Sequence, residues 1–531
     1  MRTTRFAAAA CAIALGFGAV NYEAEGKLWW AHVQYLASDQ LQGRDTGSEG
    51  YRKAAAYVAG KFKEDGLDPA GTDGYYQPVK FEVCQIVDDK STAALVNSDG
   101  AVEALKMGDD IVASLNPDTS RDLEAPAVFV GYGLDVPEKN YNDLDGVDLK
   151  GKIAVYLSGI PAGMPGPLAA HSQSLKERWD PLREAGAIGT IRLSNPHSMD
   201  LPWQRIALAR FNPYMTFAEP GLRPANGLQL SMAMNPASTD KLLAGTGHTL
   251  DDLVKLADKH APLPHFDLNR MVRVHIEMNQ HEVEAPNVAA VLRGTDPKLE
   301  REYVVMSAHL DHLGVGKPIN GDSIYNGAMD NASGVASELE IARLLHEEQT
   351  SLRRSILFVA VTGEEKGLLG SQYFAAHPTV PAGSMVADIN LDMFLPLYPL
   401  HYLMTIGLNE STLGDKIRAV ASREGVEVQD DKMPERNLFI RSDQYSFVKE
   451  GVPALMFGFG SLPGSREEKV FEQWIQTRYH APSDDVNQPV DLAAAAKFND
   501  VMLHLLVDVA NDNARPAWKH DSFFARFASG H

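Results

Sequence analysis

Cysteine is nearly absent from this chain. Two occur in 531 residues, Cys11 and Cys84. Cys11 falls within an apolar N-terminal run, which leaves Cys84 alone after it. No intramolecular disulfide and no thiolate cluster for a metal can then form, and Cys84 reads as a small buried hydrophobe. Positive charge is also in deficit: 49 lysines and arginines against 70 aspartates and glutamates give a formal net charge of -21. Phosphate binding needs a basic face, so nucleic acid is excluded as an expected partner. Adsorption to anionic membranes is disfavoured for the same reason. An acidic surface is compatible with cation binding, although charge alone does not argue for it. Long apolar runs are missing outside the N-terminus, so no stable membrane insertion is expected. Repeats and low-complexity tracts are absent as well.

The N-terminus has its own character. Arg2 and Arg5 precede an apolar run from Phe6 to Val20, after which charged residues return. That pattern predicts a secretory signal over residues 1–20, cleaved near Gly18 or Ala19. The expected location is therefore periplasmic or secreted. Anchoring as a lipoprotein through Cys11 is the poorer reading, because the cysteine comes early in the run.

The length implies at least two domains. Residues 24–66 read as two helices flanking the glycine-rich word L-Q-G-R-D-T-G-S-E-G, and Gly66 ends the second. A strand follows over 75–84. Residues 116–270 change texture: short strands such as A-V-F-V-G-Y-G and K-I-A-V-Y-L stand among proline- and methionine-rich loops, without any concentration of ligand-type side chains. This block reads as an inserted β-rich domain between residues 24–115 and 280–515. From about 285, continuous apolar strands alternate with helical segments: Y-V-V-M-S-A, I-L-F-V-A-V-T, V-A-D-I-N-L and A-L-M-F-G-F. An α/β fold is predicted, with a mostly parallel central sheet covered by helices on both faces. In such sheets ligands bind beyond the carboxyl ends of the strands.

Histidines and carboxylates gather at those ends. His309 directly follows Y-V-V-M-S-A, and a neutral imidazole is a good zinc ligand. Asp311 is placed to accept the second ring N–H; the plainer reading is a strand-end histidine beside a paired aspartate. Asp330 either caps the helix that follows or bridges two cations with its two oxygens. Glu364 and Glu365 repel each other unless a proton or cation lies between them. They are either a solvated acidic turn or one metal ligand beside one general base. Asp392 ends a strand as a turn starter or as a site residue. His480 is ambiguous alone, and Tyr479 beside it can donate to an oxyanion.

The words S-A-H-L-D-H-L-G, G-A-M-D-N-A-S-G-V, T-G-E-E-K-G-L-L-G-S, N-L-D-M-F and Y-H-A-P-S-D-D, in this order, resemble the co-catalytic zinc aminopeptidase family of bacterial leucyl aminopeptidases and aminopeptidase Y. The likeness covers Asn287 to about Ala510 and extends to L-A-S-D-Q-L-Q-G-R-D-T-G-S-E-G-Y. The middle block, with N-Y-N-D-L-D-G-V-D-L-K-G-K-I-A-V, resembles a protease-associated insertion. The resemblance implies a phosphorylase/hydrolase-like zinc exopeptidase core holding two Zn2+ ions, with Co2+ or Mn2+ as substitutes. It implies His309 and Asp392 on one zinc, Glu365 and His480 on the other, and Asp330 between them. Glu364 would be the general base, Asp311 the partner of His309, and Tyr479 a contact to the substrate carbonyl. The implied reaction removes N-terminal residues from peptides or proteins. Gln444 stands where many relatives have histidine, in a word expected not to touch the ligands.

Two other functions fit the same scaffold. A carboxypeptidase for acidic C-terminal residues would need a basic subsite. Arg436 and Arg441 are the candidates, with surface ion pairs as their plainer reading. A non-catalytic receptor or binding module would have lost ligands or base, whereas here the whole set is present.

Overall fold

A computed structural model describes residues 21–199, 202–432 and 438–530. The predicted signal over 1–20, with Cys11, lies outside the described residues, and so does Arg436.

The larger of two main sheets has ten strands. From one edge its order is Tyr214–Phe217, Tyr76–Ile86, Met278–Leu292, Ser355–Val361, Tyr303–His309, Met385–Asn390, Ala454–Phe459, Tyr402–Ile406 and Glu427–Gln429. Asp68–Pro69 pairs beside Met278–Leu292. The expected parallel arrangement holds among the four central strands, Ser355–Val361 to Ala454–Phe459. The strands joining them on either side run antiparallel, so the sheet as a whole is mixed. Parallel pairing brings His309 level with Val361, and the carboxyl ends of the central strands open onto one edge.

Tyr303–His309 and Ser355–Val361 are buried at every position, as strands covered on both faces must be. Their side chains alternate between two cores. Val304, Met306, Ile356 and Phe358 pack toward Trp29, Val58, Leu339 and Leu505, which lie on the helices Tyr22–Leu36, Glu49–Glu64, Ser333–Glu347 and Leu492–Ala510. Val305, Leu357 and Val359 pack toward Phe374 and Phe447 on Leu369–Ala376 and Gln444–Lys449. Three of these helices have side-chain caps that take up free N–H groups: Asn21 from Ala24, Ser48 from Tyr51 and Asp491 from Ala494.

A second sheet has eight strands, ordered Val102–Leu105, Thr92–Asn97, His265–His275, Asp122–Val130, Ile153–Leu157, Gly189–Leu193, Leu230–Met234 and Ile111–Ala113. It starts at Thr92, earlier than the change of texture at 116. It encloses a core of its own around Leu95, Phe129, Val155 and Leu253. The strand Tyr214–Phe217 leaves this block to join the edge of the larger sheet. No helix among the described residues is long and apolar enough to cross a membrane.

Candidate metal centre

Each functional segment begins where a buried strand stops. His309 is the last residue of its strand and is 1% exposed. Beyond Val361, Gly363 takes a positive φ of 65° and turns the chain into Glu364 and Glu365. Asp392 comes two residues after Met385–Asn390. Asp330 lies in an irregular turn, Ala328–Ala332, ahead of the helix Ser333–Glu347. It does not cap that helix, so the capping alternative is set aside. Its neighbour Asn331 does, accepting from the Gly334 N–H at 3.1 Å and donating to the Leu391 carbonyl at 2.8 Å. The turn is held from outside by Asp484, which accepts from the N–H groups of Met329 and Asp330, each at 3.0 Å.

These turns converge. His309 Nε2 lies 3.2 Å from Asp330 Oδ1 and 3.4 Å from Asp392 Oδ1. On the other side, His480 Nε2 lies 3.2 Å from Asp330 Oδ2 and 3.3 Å from Glu365 Oε2. Asp330 therefore turns one oxygen toward each group. All five residues read from the sequence as ligands meet here, with Glu364 and Tyr479 beside them. The Tyr479 ring stacks on His480 at a centroid distance of 3.9 Å, and at 38% exposure it forms part of the rim.

Whether a cation fits can be asked of the atoms themselves. His309 Nε2, Asp330 Oδ2, Asp392 Oδ1 and Glu365 Oε1 are buried and make no well-aligned hydrogen bond, although Asp330 Oδ2 has His480 Nε2 at 3.2 Å and Glu365 Oε1 has His312 Nδ1 at 2.7 Å. Buried polar atoms rarely go unsatisfied, and imidazole nitrogens set against carboxylate oxygens in this way suit cation coordination. Donor atoms of His309, Asp330 and Asp392 lie within 4.8 Å of one another, and so do those of His312, Asp330 and Glu365. Each group offers the donor types of a divalent-cation site, and both draw on Asp330.

Electrostatics agree with that fit. Burial opposes the charge on Asp330, but His312, His309 and His480 outweigh it and hold the carboxyl well below the usual range. Burial and Asp330 both act against the Glu365 charge, yet His312 and His480 draw its pKa down to about 2. His480 is opposed by burial and pushed up to about 11 by Glu365 and Asp330. The carboxylates thus favour protons on His309 and His480 against burial, and a bound cation would take over that charge and release them. Glu364 goes the other way. Burial, reinforced by Glu365 and Asp392 against the pull of His309, raises its pKa well above the ordinary carboxylate value.

Three details differ from the sequence reading. The His309 Nδ1 partner is the backbone carbonyl of Asp311 at 3.1 Å, while the Asp311 carboxylate stands 3.9 Å away. A carbonyl only accepts, so Nδ1 carries the proton and Nε2 faces the donor group. Second, Ser442, in the word that contains Gln444, does touch a candidate ligand, donating to Asp392 Oδ2 at 2.6 Å. Gln444 Oε1 accepts from Asn390 Nδ2 at 2.7 Å, and Asn390 donates in turn to Ser442 at 2.9 Å. Third, His312 went unread, although it closes the same S-A-H-L-D-H word. Its Nδ1 lies 2.7 Å from Glu365 Oε1. Of the two arginines considered for a basic subsite, Arg441 is exposed. A further grouping, Glu424, Asp500 and His504, sits on helix surfaces away from this centre and is only half-buried.

Residues 287–506 match the model of peptidase family M28. Over that stretch the chain is similar to the M28 peptidases. A probable zinc metalloprotease of Pyrenophora teres f. teres is 38% identical over 112 residues, covering 21% of this chain and 23% of that protein. Probable leucine aminopeptidase 2 of Aspergillus oryzae is 25% identical over 283 residues, covering 49% and 52%. Carboxypeptidase Q of Xenopus laevis is 23% identical over 371 residues, covering 68% and 65%. The chain thus spans about a quarter of the metalloprotease and about half of the leucine aminopeptidase. Among solved structures, an aminopeptidase from Aneurinibacillus sp. strain AM-1 aligns over 93% of this chain and 94% of its own, with 20% identity and a TM-score of 0.55, and so shares the fold.

Proposed function

We propose that the M28 unit is a zinc-dependent aminopeptidase using two zinc ions. His309 and Asp392 would hold one, Glu365 and His480 the other, and Asp330 both. The observation that carries this reading is Asp330, whose two oxygens face two separate imidazole–carboxylate groups. Zinc is the metal that the name of the Pyrenophora relative gives, and aminopeptidase is the activity in the names of the Aspergillus relative and the Aneurinibacillus structure.

Bound zinc supplies Lewis acidity toward the scissile carbonyl and makes a nearby water more acidic. The chain's own groups do the rest. Glu364, whose buried carboxyl holds a proton more tightly than an ordinary carboxylate, takes the proton of the attacking water and returns it to the leaving amine. Tyr479 donates its hydroxyl to the developing oxyanion. Burial, with the carboxylates of Asp330, Glu365 and Asp392, keeps its phenol protonated. Those same carboxylates favour a substrate with a free α-amine over one with a free carboxylate. We read residues 1–20 as a secretory leader and the second sheet as a protease-associated insertion.

The test pairs metal content with turnover. Glu364→Gln is expected to keep its zinc and to lose turnover of aminoacyl-nitroanilides by about a hundredfold or more; near-wild-type turnover would remove Glu364 from the role. Cleavage confined to N-blocked peptides with acidic C-termini would replace aminopeptidase by carboxypeptidase, the activity in the name of the Xenopus relative.

A further inference from the structure

Three consecutive residues of the N-terminal loop each grip a different segment of the centre. Arg44, 0% exposed, donates through Nε to the Leu310 carbonyl at 2.9 Å, and through its terminal nitrogens to Asn326 at 2.7 Å and Gly327 at 3.0 Å. These carbonyls flank His309 and precede Asp330. Asp45 pairs with Lys366 Nζ at 2.7 Å, next to Glu365. Thr46 donates its hydroxyl to Asp311 Oδ2 at 3.0 Å, and Asp311 Oδ1 accepts the Glu364 backbone N–H at 3.1 Å. Thr46 is 4% exposed and Asp311 0%.

The last of these links has a consequence for the reaction. Both Asp311 oxygens are committed, one to Thr46 and one to the Glu364 amide, and neither reaches the His309 ring, which already has the Asp311 carbonyl. The Asp311 carboxylate therefore serves the glutamate turn rather than the histidine. Within that turn the Gly363 carbonyl accepts from Leu369 and the Glu364 carbonyl from Gly367 and Leu368, and the hydrogen bond from the Glu364 N–H to Asp311 is the tie that anchors the residue to the site from its other side. We propose that Thr46 is a positioning residue for Glu364, acting through Asp311 and the Glu364 amide; the catalytic part of this rests on the reading of Glu364 as general base.

Thr46→Val keeps the shape and removes the donor. Asp311 then has an unpaired oxygen in a dry site, and rotation to find another partner releases the Glu364 amide. The expected result is a fall in kcat of about 10- to 100-fold, the scale on which a displaced catalytic group loses rate. KM and zinc per chain should stay unchanged. Thr46→Ser should restore most of the rate, and Thr46→Ala is the second variant if Thr46→Val does not fold. A readout independent of activity is hydrogen exchange at the Glu364 amide, which should quicken in Thr46→Val and return in Thr46→Ser. In a Glu364→Gln background, Thr46→Val should cost little more, since both act on one group. Loss of zinc, a change confined to KM, unchanged amide exchange, or a full additional loss in that background would each overturn the proposal. If Glu364→Gln alone keeps its turnover, the base assignment fails while the exchange experiment still decides the link from Thr46.

Discussion

Asp330 carries more of the centre than any other side chain because both donor groups share it. If two zinc ions are held as proposed, Asp330→Ala should lose both, whereas Asp392→Ala should spare the half around Glu365 and His480. Zinc per chain measured after gel filtration separates the two, and full occupancy in Asp330→Ala would rule out a shared ligand. Another buried acid makes a different prediction. Glu338 lies on the helix behind Asp330, is 0% exposed, and makes no well-aligned hydrogen bond through either carboxyl oxygen, the Val359 backbone N–H being the donor near it. Burial, with Asp388 and Asp443 adding repulsion, raises its pKa well above the ordinary value. The folded protein then binds a proton that the unfolded chain has given up. The stabilisation is complete below the unfolded pKa, about 4.3, and is lost as pH rises toward the folded value. Glu338→Gln cannot ionise, so it should gain on wild type in melting temperature between pH 5 and pH 8. Parallel pH profiles for the two proteins would show that Glu338 does not titrate on unfolding.

At the scale of elements, the parts that were readable and the parts that were not divide by the range of the interaction. Y-V-V-M-S-A and I-L-F-V-A-V-T read as strands because continuous apolar runs of that length need cover on both faces. Both do end at the candidate site. Which strand pairs with which is not local, so nothing near Tyr214–Phe217 announces that it leaves its block to pair with Tyr76–Ile86. The site divides in the same way. Ligand candidates were legible as charged residues at the ends of apolar runs. Thr46 and Ser442 were not, because a hydroxyl in a polar loop carries no signal until its partner, 265 residues away for Thr46 and 50 for Ser442, is folded against it. The helix Tyr22–Leu36 offers an element-scale test. Trp29 is 0% exposed, and its Nε1 donates to the Ser333 carbonyl and to Ser337 Oγ, each at 3.1 Å, at the start of the helix behind Asp330. Trp29→Ala should cost about 3–5 kcal/mol in denaturant unfolding. Trp29→Phe keeps most of the bulk but strands the two acceptors, and should cost about 1–3 kcal/mol. A Trp29→Phe loss near zero would mean that the indole N–H contributes nothing.

The whole molecule is built around two separate sets of cores, and the metal centre belongs to one of them. Every candidate donor comes from the ends of the larger sheet or from the turns beside it, while the second sheet closes on Leu95, Phe129 and Val155. The two sheets are joined by the paired strands Tyr76–Ile86 and Met278–Leu292, which carry the chain out to the second sheet and back over eleven registered residue pairs. A smaller tie lies at the C-terminal segment. There Phe523 packs on the His171 ring, Arg526 pairs with Glu138, and Phe524 stacks edge-on against Phe439. A ligand that binds only the folded state stabilises the unit it belongs to, by about 2.7 kcal/mol when its concentration is a hundred times its Kd. If the ties between the sheets are weaker than each core, calorimetry should resolve two transitions. Chelation should then lower one of them by several degrees and leave the other in place, and added zinc should restore it. In Asp330→Ala the chelator should move neither. Should both transitions of the wild type fall together on chelation, the paired strands and the C-terminal tie would have to transmit the full stabilisation, and the molecule would unfold as one cooperative unit despite its two cores.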